Sequence, residues 1–171
     1  DLLFDGHALG HNILGTENTL KAFTKDDVSA FLKENYCTDQ MVVAITGNYS
    51  VKKGNQLVET IFANLPANLS RRARKLPLNY QAQRLSVTKP IVQAHVTLGN
   101  VAYDLYHSKK TGLMVLNNLL GGMGMSSRLN LQIREKYGIA YTIESNYTPF
   151  TDTGIFSIYY GTDTDKAVRA K

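Results

Sequence analysis

The sequence predicts an α+β fold built from two-layer α/β sandwich units, in which antiparallel-rich sheets carry helices on one face. Apolar residues recur at helical spacing in several stretches, and in others they alternate with polar residues or run continuously between turn signals, as in strands. Of the 171 residues, 43% are hydrophobic and 19% charged, so the chain is too apolar for an intrinsically disordered protein. Because neither end completes a unit, we expect a fragment truncated at both ends.

The first segment, residues 1–66, is predicted to contain a helix, a strand and a helix in that order. Thr24 is expected to begin the first helix, since Asp27 stands at the position that completes a capping box. The continuous apolar run at residues 41–45 predicts a strand covered on at least one face. Ser50 is expected to cap the second helix, which ends before a proline. These elements make part of an α+β unit and not a whole sheet.

Residues 67–84 are predicted to be a linker between two units, because the stretch is polar, basic and interrupted by proline. Its densest charge, at residues 71–75, has no aromatic neighbours of the kind that a single-stranded nucleic-acid groove uses. We therefore interpret this run as a solvated part of the linker. No nucleic-acid partner is expected, and the net charge of +5 is modest.

A second unit is predicted for residues 85–171. It begins with an alternating strand, followed by a helix that ends in a glycine-rich bend at Gly121, Gly122 and Gly124. Glycine permits a positive φ and the close approach of another backbone, so these residues suit a tight, accessible bend. A serine pair is expected to cap the next helix, which stops at Gly138, and two antiparallel strands follow.

Arg134 and Tyr141 are the candidate site residues, since they flank the predicted helix-to-strand corner at Gly138. A guanidinium and a phenol are hydrogen-bond donors suited to a peptide carbonyl oxygen, on which negative charge develops during cleavage. Structural alternatives stay open at this point. Arg134 in a charged helix end is typical of a solvated residue, and Tyr141 suits the core because Ile139 and Ile143 share its side of the strand.

His7 and His11 stand four residues apart, the spacing that presents two metal ligands on one face of a helix. The glycines around them disfavour a helix, and no glutamate lies between them. We therefore expect no metal site in this chain.

A block made of residues 126–129 (Ser-Ser-Arg-Leu) and 134–141 (Arg-Glu-Lys-Tyr-Gly-Ile-Ala-Tyr) closely resembles one in the pitrilysin-like (insulinase) zinc metallopeptidases, the family that includes the mitochondrial processing peptidases. A second match, residues 6–16 (Gly-His-Ala-Leu-Gly-His-Asn-Ile-Leu-Gly-Thr), comes in the family's order. The resemblance implies a fragment of a zinc endopeptidase that hydrolyses peptide bonds in unfolded or small polypeptides, with zinc as the cofactor of the parent protein.

The resemblance also implies a place for each segment. Residues 1–66 are expected to be the C-terminal part of the metal-bearing peptidase domain, and residues 85–171 the N-terminal part of the second, substrate-clamping domain. In the family an Arg and a Tyr of this second domain hold the substrate backbone at the zinc site, and Arg134 and Tyr141 match them in type and spacing. The family's His-x-x-Glu-His motif does not occur in this sequence, so this chain alone is expected to be inactive and to need no cofactor.

Two partners are expected. One is a peptide or unfolded polypeptide substrate, and the other is either the metal-bearing half of the same protein or a partner subunit. The sequence leaves open whether the protein forms a dimer. The alternative function is a non-catalytic partner or scaffold subunit of the same family, which binds peptide or supplies the Arg134 and Tyr141 side of the site. No apolar run approaches the ~18 residues of a membrane span. We therefore expect a soluble protein, cytoplasmic or periplasmic if bacterial.

Limited trypsin digestion is expected to cut the chain first within residues 71–75, because this basic stretch lacks the periodic apolar face of a packed element. Mass spectrometry of the earliest fragments measures the order of cleavage. First cuts inside residues 110–160 would contradict the predicted boundary between the two units.

Overall fold

The computed structural model describes residues 2–69, 75–77 and 80–167. The basic run of the predicted linker falls at residues 71–75, of which only Lys75 is described. The predicted trypsin-sensitive site therefore lies mostly outside the described residues.

The chain forms two compact units, Leu14–Lys75 and a larger one that joins Asp1–Ile13 to Leu76–Lys171. The sequence predicted instead that the first residues belong with the segment that follows them. In the structure Leu3 lies over the sheet of the larger unit, since a Cβ built on Gly99 would stand 3.3 Å from the Leu3 Cδ1 atom. Local packing thus groups the first residues with the larger unit, and the assignment of segments to two peptidase domains stays a prediction.

The smaller unit contains three α-helices in its described residues: α1 at Glu17–Ala22, α2 at Lys25–Asn35 and α3 at Val51–Phe62. The capping box predicted for α2 is confirmed. The Asp27 N–H donates to Thr24 Oγ1 at 3.3 Å, and the Thr24 N–H donates to Asp27 Oδ2 at 2.8 Å. Hydrogen bonds from the Thr24 hydroxyl and backbone hold the pKa of the Asp27 carboxyl below its ordinary value. Ser50 caps α3 as expected, accepting from the Lys53 N–H at 3.3 Å.

The strand predicted at residues 41–45 is wrong. The structure has no strand there and leaves the run exposed, with Val42 at 93% of its full exposure. An extended segment becomes a strand only when a neighbouring backbone pairs with its N–H and C=O groups. Among the described residues of Leu14–Lys75 no other strand is present to do so.

The larger unit is built on a three-stranded antiparallel sheet in the order β1-β3-β2, with β1 at Ala94–Ala102, β2 at Ala140–Pro149 and β3 at Gly154–Thr162. Tyr160 of the central strand is paired with Val96 on one side and Ile143 on the other, and it is 1% exposed. Together with Ala140 and Ile143 it forms the buried core, against which Leu129 packs from the helical layer. The predicted α+β class with an antiparallel sheet is confirmed.

The helix α4, Lys110–Gly121, packs closely against β2. The Ser145 hydroxyl of β2 donates to the Asn117 carbonyl of α4 at 3.0 Å. A Cβ built on Gly121 would lie only 2.6 Å from the Ser145 backbone nitrogen. Glycine is therefore required at the end of α4, because any side chain there would push the helix away from the strand.

The three glycines of the predicted bend have different roles. None of them has a positive φ, so conformational freedom is not what requires glycine here. A Cβ on Gly122 would meet the Asn118 backbone at 2.9 Å, whereas the nearest atom to a Cβ on Gly124 is Ser126 Oγ at 3.6 Å. Close backbone approach thus explains the first two glycines, and packing does not constrain the third.

Gly121→Ala is expected to lower the free energy of unfolding by roughly 1–3 kcal/mol, because the added methyl overpacks the contact between α4 and β2. Gly124→Ala is the matched control, and its effect should stay within about 0.5 kcal/mol since the new methyl meets only ordinary contacts. Urea unfolding followed by circular dichroism measures both. Equal losses in the two variants would show that the close approach at Gly121 is not what matters.

Candidate functional site

Arg134 lies in a π-helical segment, Asn130–Lys136, in place of an ordinary α-helix. The Tyr137 N–H donates to the Gln132 carbonyl at 3.1 Å, a bond that spans five residues instead of four. π-helical turns are rare and occur frequently at functional sites. The segment that carries Arg134 therefore has an unusual backbone conformation.

The serine pair before this segment does not cap it as predicted. Leu129, the residue before the π-helical segment, makes no side-chain capping bond, and the Ser127 Oγ atom accepts from the Asn130 side-chain amide at 2.9 Å. The same amide donates to the Ile143 carbonyl of β2 at 3.4 Å. The buried Ser127 hydroxyl thus helps to attach the helical layer to the sheet rather than to satisfy the helix end.

Gly138 ends the segment as predicted, with a φ of 56° in the left-handed region that favours glycine. Its N–H donates to the Arg134 carbonyl at 3.1 Å. The Arg134 side chain is 42% exposed, and its Nε atom lies 3.8 Å from the Glu135 Oε1 atom. An ion pair this long at an exposed position contributes little, so the guanidinium remains accessible to a ligand.

Tyr141 occupies a β-bulge at the start of β2. The register with β3 shifts between Ala140 and Thr142, which leaves Tyr141 as an extra residue on its strand. In a regular strand, Tyr141 and Ile143 would lie on the same face of the sheet. The bulge breaks this alternation, so that Ile143 is buried whereas Tyr141 is 53% exposed. The interpretation of Tyr141 as a core residue is therefore wrong.

The Tyr141 hydroxyl donates to the Asp163 Oδ1 atom at 2.8 Å, immediately beyond the end of β3. The Lys166 Nζ atom donates to Asp163 Oδ2 at 2.8 Å, so the carboxylate is held from both sides. The three side chains form one chain of charge-assisted hydrogen bonds. We call them the Tyr141 triad.

The triad shifts the pKa of each of its members. Its hydrogen bond to Asp163, and the charge of that carboxylate, raise the pKa of Tyr141, since ionisation would bring two anions together. The hydrogen bonds from Lys166 and then Tyr141 lower the pKa of Asp163, and the bond to Asp163 raises that of Lys166. Each shift favours the neutral phenol, the carboxylate and the ammonium.

The structure does not join Arg134 and Tyr141 by a direct hydrogen bond. Among the described residues Arg134 pairs with Glu135, and Tyr141 pairs with Asp163. The two candidate residues share the corner at Gly138, each on an exposed position. A bound ligand would therefore have to contact both side chains to bring them into one site.

Sequence reasoning missed Asp163 and Lys166. Asp163 follows Tyr141 by 22 positions along the chain and reaches it only because β3 pairs with β2. No local sequence pattern predicts a contact between residues this far apart in the chain, because the contact depends on the register of the two strands.

His7 is not positioned as a helical metal ligand. Its Nδ1 atom accepts from the Leu9 N–H at 3.2 Å and so begins a short 3-10 turn, Ala8–Gly10. Within residues 2–69, 75–77 and 80–167, no three His, Cys, Asp or Glu side chains cluster in a way that would hold a metal ion. Over the same part of the chain, no helix has the length and apolar character needed to cross a bilayer.

Comparison with known families decides what kind of protein carries this corner. The family profile described as "Peptidase M16 inactive domain" matches residues 22–171. The chain belongs to the peptidase M16 family. The resemblance to pitrilysin-like zinc metallopeptidases is thereby confirmed, and with it the terms metallopeptidase and zinc protease at the level of the family.

Relatives of this M16 chain carry the name of zinc proteases. One from Bacillus subtilis, named an uncharacterized zinc protease, is 35% identical over 159 residues, which are 93% of this chain and 38% of the relative. Another from Streptomyces coelicolor, similarly named, is 34% identical over 166 residues, with 93% of this chain and 36% of the relative covered. The chain therefore spans less than two fifths of the length of these two relatives.

Solved structures share the fold. The peptidase M16 inactive domain from Pseudomonas fluorescens superposes with a TM-score of 0.82 at 25% identity, covering 95% of this chain and 39% of that one. A protease from Helicobacter pylori superposes with a TM-score of 0.68 at 22% identity, covering 88% and 37%. The second likeness shows the fold alone.

This M16 chain by itself is expected to hold no stoichiometric zinc, because a catalytic zinc needs three protein ligands and a water. Elemental analysis after dialysis against zinc-containing buffer and then zinc-free buffer measures the content. His7→Ala and His11→Ala are the controls. One tightly held zinc per chain that is lost in either variant would contradict the expectation.

Proposed function

We propose that this chain is part of a zinc-dependent endopeptidase that hydrolyses peptide bonds in unfolded or small polypeptides. Support comes from the family match over residues 22–171 and from relatives named zinc proteases, of which the chain spans 38% and 36%. In this proposal the zinc, its ligands and the catalytic base belong to the rest of the protein. Zinc activates water for attack on the peptide carbonyl.

In the same proposal, residues 1–66 are the C-terminal part of the metal-bearing domain, residues 67–84 the linker, and residues 85–171 the first part of the substrate-clamping domain. The apolar run at 41–45 is consistent with an incomplete sheet, since its side chains are exposed and it has no strand partner among the described residues. The partner proposed for the clamping domain is the metal-bearing half of the same protein or a second subunit.

Arg134 and Tyr141 are the residues proposed to contact substrate. The observation that carries this assignment is the exposure of Tyr141, which a β-bulge places outside the core beside the corner at Gly138. Arg134 lies across that corner with an accessible guanidinium. A guanidinium suits a carbonyl oxygen that gains negative charge, and a phenol can contact the peptide backbone.

A non-catalytic partner or scaffold subunit is the second candidate function. The matching family profile is described as an inactive domain, and this sequence contains no His-x-x-Glu-His motif. Zinc content and peptide cleavage of the full-length protein distinguish the two candidates. If the full-length protein holds no zinc and cleaves no peptide, the chain belongs to a subunit that supplies only the Arg134 and Tyr141 side of a site.

In the full-length protein, Arg134→Ala is expected to lower kcat for peptide cleavage by about 100- to 1000-fold, the usual effect of losing one donor to a developing oxyanion. Tyr141→Phe removes one neutral hydrogen bond and should lower kcat/KM by about 3- to 10-fold. Zinc content and the thermal midpoint should stay near wild type in both. Steady-state kinetics, elemental analysis and thermal melts give the three readouts.

Lys136→Ala and Tyr137→Phe are the matched controls, since they alter an exposed cation and an exposed phenol next to the same corner. Both should cleave peptides at the wild-type rate. If Arg134→Ala and Tyr141→Phe also cleave at the wild-type rate, the corner has no role in cleavage.

A further inference from the structure

We propose that Asn130 is a positioning residue for Arg134. Its side-chain amide attaches the start of the π-helical segment to β2 and so sets the direction of the Arg134 side chain. The inference rests on the proposed function of Arg134 in substrate binding. It adds to that function a residue that contacts no substrate itself and acts through the backbone of the segment that it shares with Arg134.

The Asn130 side chain joins the helical layer to the sheet. Its amide nitrogen donates to the Ser127 Oγ atom at 2.9 Å and, in a longer bond of 3.4 Å, to the Ile143 carbonyl of β2. A backbone carbonyl only accepts, so the group that faces Ile143 is the NH2 group of the amide and not its oxygen. The side chain is half-buried, and hydrogen bonds in such surroundings are electrostatically stronger than in water.

Ser127 is a fixed acceptor for this amide. It is 5% exposed, and its N–H donates to the Gly124 carbonyl at 3.1 Å. Its own carbonyl accepts from the Leu131 N–H at 3.0 Å, inside the π-helical segment. The backbone and the side chain of Ser127 thus both hold the start of the segment, and Asn130 extends that attachment to β2.

Apolar packing by itself does not fix the rotation of the segment. Leu129 and Ile133 pack against the buried cluster of the sheet, but hydrophobic contacts are non-directional. Hydrogen bonds have preferred distances and angles. The Asn130 amide lies between these two apolar contacts along the chain, so its bonds are placed to select one rotation of the segment about its axis.

The π-helical backbone makes that rotation matter for Arg134. A π turn contains an extra residue compared with an α-helical turn, so α-helical geometry alone does not set the direction of the side chains along it. The far end of the segment is held by the Gly138 N–H, which donates to the Arg134 carbonyl at 3.1 Å, and by the Ile139 N–H, which donates to the Ile133 carbonyl at 3.0 Å. Asn130 supplies the corresponding attachment at the near end.

The guanidinium of Arg134 depends on this attachment because its own contact is weak. Its ion pair with Glu135 is 3.8 Å long at an exposed position, which does little to hold it. A donor stabilises a developing negative charge most when it is already aimed at the oxygen that carries it. A misplacement of about 1 Å can cost roughly 100-fold in rate. Loss of the Asn130 amide should therefore slow cleavage while leaving the zinc in place.

The attachment is tested without activity by amide hydrogen exchange of the full-length protein, read by mass spectrometry. In Asn130→Ala, peptides covering residues 128–138 should exchange faster than in wild type, because the start of the segment is released. Tyr147→Phe is the control for a general loss of stability, since it removes the hydrogen bond of 2.7 Å from the Tyr147 hydroxyl to the Tyr103 carbonyl. It should leave the exchange of these peptides nearly unchanged. Equal increases in the two variants, or none in Asn130→Ala, would overturn the attachment.

The role in cleavage is tested by a double-mutant cycle in the full-length protein. Asn130→Ala should lower kcat by about 10- to 100-fold and should lower it little further in the Arg134→Ala background, since a positioning residue acts through its partner. Asn130→Asp keeps the size of the side chain, but its ionised carboxylate cannot donate to the Ile143 carbonyl, so it should be as slow as Asn130→Ala. Zinc content should match wild type in both variants.

Gln132→Ala and Tyr147→Phe are the kinetic controls, since Gln132 is an exposed amide in the same segment and Tyr147 tests the effect of a lost hydrogen bond elsewhere. Both should cleave at the wild-type rate. The inference is overturned if Asn130→Asp cleaves at the wild-type rate, or if Asn130→Ala slows Arg134→Ala by the same factor as it slows wild type. If Arg134→Ala itself cleaves normally, the proposed function of Arg134 fails, and the inference with it. If Arg134→Ala is slow and Asn130→Ala is not, only the inference fails.

Discussion

The end of β3 is the constraint on which the candidate site depends. Thr162 is fully buried, pairs with Ala140 across the sheet, and donates its hydroxyl to the Ile139 carbonyl. This attachment fixes the first residues of β2 while the register shifts by one position just after them. Tyr141 is the residue left over, and a left-over residue in a strand is free to turn outward. One buried threonine therefore helps to determine which side chain faces solvent.

A second constraint sets the helical layer on the sheet. Gly121 brings the end of α4 against the Ser145 backbone, and the Ser145 hydroxyl bonds the Asn117 carbonyl, so the helix cannot slide along β2. Packing of Leu129 against the buried core cluster continues the same interface into the following segment. Because protein interiors are close-packed, small displacements at these contacts would be transmitted to the corner. The geometry around Arg134 thus rests on contacts that include neither of the two candidate site residues.

The site itself is polar, exposed and held together by few strong contacts. The Arg134 ion pair is long, and the triad around Tyr141 lies at the surface, where salt and water weaken electrostatic attraction. Such groups contribute little to the stability of the unit. Their side chains remain accessible at the surface of the unit.

Part of this structure could be predicted from the sequence because it depends on local chemistry. The capping box at Thr24, the end of the π-helical segment at Gly138, the antiparallel hairpin and the family block all depend on residues a few positions apart.

Contacts between distant residues decided the rest. Residues 41–45 have strand composition, but the described part of Leu14–Lys75 holds no strand that could pair with them, and composition alone does not supply a pairing partner. Tyr141 faces solvent and meets Asp163 because of the register between two strands, and a shift of one residue moves a side chain to the opposite face. Register is a property of the assembled sheet, so only the tertiary structure could determine it.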